Sequence, residues 1–256
     1  AYELALMQAA AGFADQVAGH VSEVVETGRT EIEVAGTVEA FARKLGHQGL
    51  VRMRLWWSEL FYGHFLAVPA AAVPSYLASP SGGAAISPAV AQGPSFNPID
   101  RNQPVLVDYV FAHQGYLADH TRIYCLGKLP ADLARAQADM VAIQNEIKTM
   151  AVPGTPAGAV YAKAVELAEA AGYAGHFMGC GSARIRFVGH GLGLELDEYP
   201  FLAKGQEMVL AENMVVALEP KVIFPGRGVV GIENTHVVTP SGLEPLTRYP
   251  DEVTYI

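Results

Sequence analysis

Apolar residues in the first 45 positions recur at helical spacing. Leu6, Phe13, Val17, Val21 and Val24 make one stripe that ends at Gly28, which predicts a helix within residues 2–27. Thr30-Glu31-Ile32-Glu33 then reads as a capping box, in which the Thr30 and Glu33 side chains satisfy each other's free backbone N–H groups. The helix it opens carries Val34, Val38, Phe41 and Leu45 and stops at Gly46. A second pair follows the same plan. Leu133, Ala136, Met140, Ile143 and Ile147 form a stripe, and Thr155-Pro156 reads as an N-cap followed by a first-turn proline, with the helix ending at Gly172.

The two pairs are in register with each other. Gly28, Gly46 and Gly49 recur as Gly154, Gly172 and Gly175, each 126 positions on, and Val34 and Phe41 map onto Val160 and Leu167. This is the mark of an internal duplication. Each helix pair is followed by segments of strand character: 105–127 with a Gln114-Gly115 turn in the first half, and 183–200, 213–224 and 228–238 in the second. The reading is one α+β unit over 1–256, with halves of approximately 1–127 and 128–256, helices packed on a curved, mainly antiparallel sheet, and a ligand cleft between the halves. The Pro-, Ala-, Gly- and Ser-rich stretch 67–97 reads as a long ordered loop beside that cleft.

With 51% apolar and 17% charged residues, the chain has ample material for a core. A net charge of −9 argues against nucleic acid or an anionic membrane as partner. No apolar run approaches the roughly 20 residues of a membrane span. Cys125 and Cys180 fit no zinc or disulfide framework and read as free thiols of a reducing compartment, the cytoplasm. The chain opens without an initiator Met or a basic leader, and is expected to be a processed or truncated piece.

Inside the apolar strand runs, a bare charge is costly. Asp108 follows Val105-Leu106-Val107, Asp119 lies in the partner strand, Glu219 ends Val215-Val216-Ala217-Leu218, and Glu233 follows Val229-Val230-Gly231-Ile232. His190, between two glycines, is the fifth such residue; the glycines let backbone or substrate come close to it. Four acids and a histidine in such places point to shared cation binding. The set is too acidic for one structural zinc and suits two ions such as Mn, Co, Fe or Zn. Two ions about 3.5–4 Å apart can activate a water and polarise a carbonyl together.

These motifs also carry a resemblance. Asp108 followed by Asp119 in "ADHTR", "GHGLGLELDEYP" around His190, "VVALEP" with Glu219 and "GIENTHVVTPSGLEPLT" with Glu233 resemble the metal-binding motifs of the M24 family, the pita-bread superfamily of methionine aminopeptidase, Xaa-Pro peptidase and creatinase. The resemblance covers nearly the whole chain, and the short Glu219–Glu233 interval is similar to that of prokaryotic Xaa-Pro dipeptidases. It implies a pita-bread fold, a homodimer and a dinuclear metallopeptidase acting on the bond before proline in dipeptides or short peptides. Asp108 would chelate one metal and His190 the other, Asp119 and Glu233 would bridge them, and Glu219 would bind the His190-side metal and help move the proton of the attacking water. Thr121 would orient its neighbours. The family's separate N-terminal domain is absent from these residues.

Departures from the family concern its accessory groups. Asp197 stands where a second histidine is usual, Arg186 where another is, Gln92 replaces a loop histidine, and Gly231 an arginine. Asp197 and Arg186 are therefore taken with Glu219 as candidate catalytic residues. A peptidase with an altered pocket, a metal-dependent hydrolase or lyase acting on a small non-peptide carboxylate, and a non-catalytic binding domain all stay open. Glu195 and Glu198 read as a solvated strand edge, His113 and His120 as surface residues or residues behind the ligands, and His236 as facing away from Glu233.

Overall fold

The computed structural model describes residues 2–54, 62–75, 79–90 and 92–256. Helix α1 spans Tyr2–Val24 and α2 spans Glu31–Lys44. The face α1 buries is centred on Met7, Ala10, Ala14, Val17 and Val21, whereas Leu6, Phe13 and Val24 are only half-buried. Small alanines let the helix lie close on the sheet, so the expected stripe of larger residues falls to one side. Thr30 and Glu33 form the expected capping box at the start of α2, an arrangement worth about 1 kcal/mol.

The second pair is α3, Ala131–Met150, and α4, Ala157–Ala170. Helices α2 and α4 have 14 residues each, and Glu31 and Lys44 lie 126 positions before Ala157 and Ala170. Val34 and Val160 are both fully buried. The capping, however, differs. Pro156 occupies the N-cap position, and the Thr155 hydroxyl donates to Met150 O instead of capping α4. The free N–H groups of Ala157 and Gly158 donate to the carbonyls of Met208 and Gln206, so a neighbouring loop does what a side chain does in α2.

The sheets are mainly antiparallel. Strands β1 (Gly63–Leu66), β2 (Val105–His113), β3 (Tyr116–Cys125) and β10 (Thr254–Tyr255) lie in the order β1-β2-β3-β10, in which only β10 runs parallel to its neighbour. Gln114 and Gly115, both with positive φ, close the β2–β3 hairpin as a two-residue turn. Strands β4 (Gly189–Gly191), β5 (Val215–Leu218), β8 (Asn234–Thr239) and β9 (Gly242–Pro245) form a second antiparallel sheet, and β6 (Lys221–Phe224) pairs with β7 (Gly228–Gly231).

Two hydrophobic clusters support these sheets. One is built on α1 and α2 with Val107, Tyr109, Leu117 and Tyr124; the other is built on α3 and α4 with Leu106, Ile123, Val216 and Leu218. At Val105-Leu106-Val107, Ile123-Tyr124-Cys125 and Val216-Ala217-Leu218 successive residues serve opposite clusters, as the strand period of two requires. The halves meet where Thr121 and Glu233 form an antiparallel bridge and where the Thr235 hydroxyl accepts from Asp119 N and donates to Asp119 O. Of the expected 67–97 loop, 76–78 and 91 lie outside the described residues, and its two ends are held by the buried Glu31 carboxylate, which accepts from Ala67 N, Ser95 N, Ser95 Oγ and Asn97 Nδ2.

The strand expected over 183–200 is reduced to three residues, Gly189–Gly191. Beyond them the chain turns tightly, and the Glu198 carboxylate accepts from Leu194 N and Glu195 N. The expected strand edge is therefore a loop closed by Glu198. The two later segments also split, at Glu219-Pro220 and at Ile232-Glu233, where the chain passes between sheets. Both candidate glutamates sit at these breaks, freed from regular strand pairing.

Candidate metal centre

The hairpin supplies the first ligands by register. Asp108 lies opposite Thr121, and Val110 opposite Asp119, so Asp108, Asp119 and Thr121 share one face of the ribbon. His64 of β1 lies opposite Asp108 and adds an imidazole to the same cavity. In the other half, β4 carries His190. A Cβ on Gly189 would collide with Ala217 O, and one on Gly191 with Tyr199 O, so these glycines admit neighbouring backbone.

The groups converge in one cavity lined by His64, Gln92, Asp108, Asp119, His190, Asp197, Glu219 and Glu233, among others. His190 Nε2 lies 3.9 Å from Asp119 Oδ2, 3.8 Å from Glu233 Oε1 and 4.0 Å from Glu219 Oε1. These separations are too long for hydrogen bonds. Its Nδ1 lies 3.1 Å from Gly191 O; with the proton on Nδ1, that contact fixes the ring and leaves the Nε2 lone pair facing the three carboxylates. Thr121 Oγ1 donates to Glu233 Oε2 at 2.9 Å. Behind it the fully buried Arg122 donates to Thr121 O, Glu233 O, Asn234 Oδ1, Tyr249 O and Pro250 O, and so locks the junction of the halves.

A cation absent from the sequence reading stands in the same cluster. Lys221 Nζ donates to Asp108 Oδ2 at 2.9 Å, Glu219 Oε2 at 2.9 Å and Glu233 Oε2 at 2.8 Å. Burial opposes its charge, but Asp108, Glu219 and Glu233 together hold the ammonium well above the ordinary lysine value. Burial acts against the Asp108 carboxylate too, yet Lys221 keeps it below its ordinary value. On the His190 side the balance reverses. Burial and the neighbouring carboxylates, Glu233 first, push Asp119 well above its usual range, and burial raises Glu233 despite Lys221.

That imbalance is the test of whether a metal fits. Asp119 Oδ1 is buried without a hydrogen-bond partner, and Asp119, His190 and Glu233 each place a ligand atom within 4.8 Å of the others. Oxygen and imidazole donors with uncompensated negative charge fit a divalent cation there, with Glu219 Oε1 alongside. The Asp108 side has no such deficit, because Lys221 supplies its charge.

The remaining candidates divide. Asp197 is buried in the cavity with Oδ1 3.9 Å from His190 Nδ1, and burial raises its carboxyl above the ordinary value. Arg186 is exposed and is not among the residues lining the cavity. Its candidacy rests on its place in the family motif, four residues before His190, and here that position precedes the regular strand, which begins at Gly189. Gln92 reaches the cavity, where its Oε1 accepts from Ser75 Oγ. His120 is buried rather than at the surface, and His113 packs on Phe13. His236 is buried and stands outside the cluster.

His64 and Lys221 are the residues the pattern did not single out. The signal for Lys221 was present: a lysine within the apolar run 214–224, two positions from Glu219.

Comparison with known proteins bears on the family and the fold. The model of metallopeptidase family M24 matches residues 5–240. The chain is 35% identical over 164 residues to an Xaa-Pro dipeptidase of Lactobacillus delbrueckii subsp. lactis, covering 63% of this chain and 42% of that protein. It is 27% identical over 255 residues to the probable dipeptidase PepE of Mycobacterium tuberculosis, covering 99% of this chain and 59% of the relative. The solved dipeptidase PepE of Mycobacterium ulcerans superposes with a TM-score of 0.83 at 26% identity, over 100% of this chain and 60% of that one. The chain thus spans less than two thirds of the length of each of these relatives. Its fold is the α+β pita-bread fold, and with a family match over nearly its whole length the chain belongs to metallopeptidase family M24.

Proposed function

We propose that this chain is the catalytic domain of a metal-dependent peptidase that hydrolyses the bond before proline in Xaa-Pro dipeptides or short peptides. The observation that carries the reading is the convergence of Asp119, His190 and Glu233 ligand atoms within 4.8 Å, inside a cavity that Asp197 and Gln92 also line. Asp119, His190, Glu219 and Glu233 are the residues that would hold the cation, and the donor set suits Mn, Co, Zn or Fe. Bound there, a divalent ion supplies Lewis acidity toward a carbonyl and acidifies water.

The protein's own groups divide the remaining work. Thr121 and Arg122 hold Glu233 in place from behind. Lys221 occupies Glu219 Oε2, which leaves Oε1 on the His190 side to take a proton from the attacking water and deliver it to the leaving amine. Asp197 presents a carboxylate suited to the free α-ammonium group of a dipeptide. The free Cys125 and Cys180 support a cytoplasmic location, and the homodimer is carried over from the family resemblance. Among the described residues no helix is long and apolar enough to cross a membrane.

Turnover of Xaa-Pro dipeptides beside a matched panel without proline tests the reading. Hydrolysis confined to the proline panel is expected. Hydrolysis of neither panel by metal-loaded protein would rule the peptidase out, and preference for the second panel would rule out the proline specificity.

A further inference from the structure

We propose that Lys221 is the second cation of this centre: its ammonium fills the Asp108 side, and the protein binds one divalent metal ion, on the His190 side, in place of the expected pair. The inference concerns the cation count of the site on which the proposed activity rests, and it holds whichever substrate is turned over.

Geometry carries the argument. An ammonium has three N–H donors, and Lys221 spends them on Asp108, Glu219 and Glu233 at 2.8–2.9 Å. Those carboxylates come from both halves of the fold, and an ion on the Asp108 side would compete with the ammonium for the Asp108 and Glu233 oxygens. The lysine is fully buried and is reached through strand pairing, not through a mobile surface arm.

The neighbouring strand is shaped around it. Gly231 lies opposite Lys221 in the β6–β7 register, and a Cβ on Gly231 would come within 2.6 Å of Lys221 Cα and 2.8 Å of its Cγ. The position that departs from the family's usual arginine is therefore the one that makes room for the lysine stem.

Charge points the same way. Five carboxylates line the cavity, Asp108, Asp119, Glu219 and Glu233 with Asp197 beside His190, and Lys221 is the ammonium among them. Proximity decides where a metal ion can sit: on the His190 side it meets carboxylates the lysine does not reach, whereas a second ion on the Asp108 side would enter beside a buried ammonium a few ångströms away, a costly like-charge contact.

Metal stoichiometry tests this directly. Protein stripped with chelator and titrated with Mn(II) is expected to bind one ion per chain and to give the electron paramagnetic resonance spectrum of an isolated ion. Asp108→Asn is expected to leave that count at one, because Asp108 serves the lysine. Lys221→Ala is expected to raise it to two, with exchange coupling between the ions. Two ions per wild-type chain, no ion at all, or loss of an ion in Asp108→Asn would overturn the proposal. If Lys221→Ala does not fold, the wild-type and Asp108→Asn counts decide. A protein that binds one Mn(II) yet cleaves no peptide would contradict the peptidase reading and leave the cation count standing.

Discussion

Thr121 Oγ1 donates to Glu233 Oε2 at 2.9 Å, and the backbones of the same two residues form the bridge that joins the halves of the fold. One residue pair thus holds the architecture together and aims a candidate ligand. Thr121→Val keeps the shape and removes the donor. The expected result is a loss of roughly 10–100-fold in Mn(II) affinity with little change in thermal stability, read by titration and by a melting curve.

Arg122 is 1% exposed and bonds five acceptors around that junction, with Asp251 Oδ1 3.2 Å away as its charge partner. Arg122→Met strands those acceptors and should cost about 3–5 kcal/mol in denaturant unfolding. Lysine should not restore it, since one ammonium cannot reproduce the planar fork.

Stability should fall as the solution is acidified, and His47 is one cause. Its Nε2 lies 3.1 Å from Val110 O and its Nδ1 accepts from Gly49 N, a neutral arrangement in which burial lowers the pKa to about 4. A folded-state pKa below the unfolded value of about 6.5 gives stability that is complete above 6.5 and is lost as pH falls toward 4. The slope from this residue is at most about 1.4 kcal/mol per pH unit. Unfolding free energies at several pH values should therefore show a shallower fall in His47→Gln than in wild type; equal slopes would contradict this.

In the proposed reaction Asp197 receives the substrate's α-ammonium group. Asp197→Asn should lower kcat/KM for free dipeptides by about 10–150-fold, the effect of a charged hydrogen bond worth roughly 1.5–3 kcal/mol. N-acetylated dipeptides, which lack the cation, should lose far less. An equal loss for both would remove this role from Asp197.

Much of this was legible in the sequence because its carriers are local or repeat. Thr30 and Glu33 name their own helix start, Val34 and Val160 repeat at a fixed interval, and acids such as Asp119 stand out in apolar strands. What escaped depends on partners distant in sequence. Lys221 in a strand run gains its meaning only when Asp108, 113 positions earlier, is brought to its ammonium. His64 enters the cavity through pairing with Asp108, which no short spacing encodes. Arg186 was taken from its place in the family motif, and it lies exposed in a segment that is not regular strand, while Thr155 leaves α4 uncapped because the carbonyls of residues 206 and 208 take its first N–H groups instead.

The most direct test of the account is release of free proline from an Xaa-Pro dipeptide by protein stripped with chelator and then reloaded with Mn(II). The account predicts that stripping abolishes release, that Mn(II) restores it in the wild type, and that Mn(II) does not restore it in Asp119→Ala. Proline release that survives stripping, or full activity in Asp119→Ala, would contradict it.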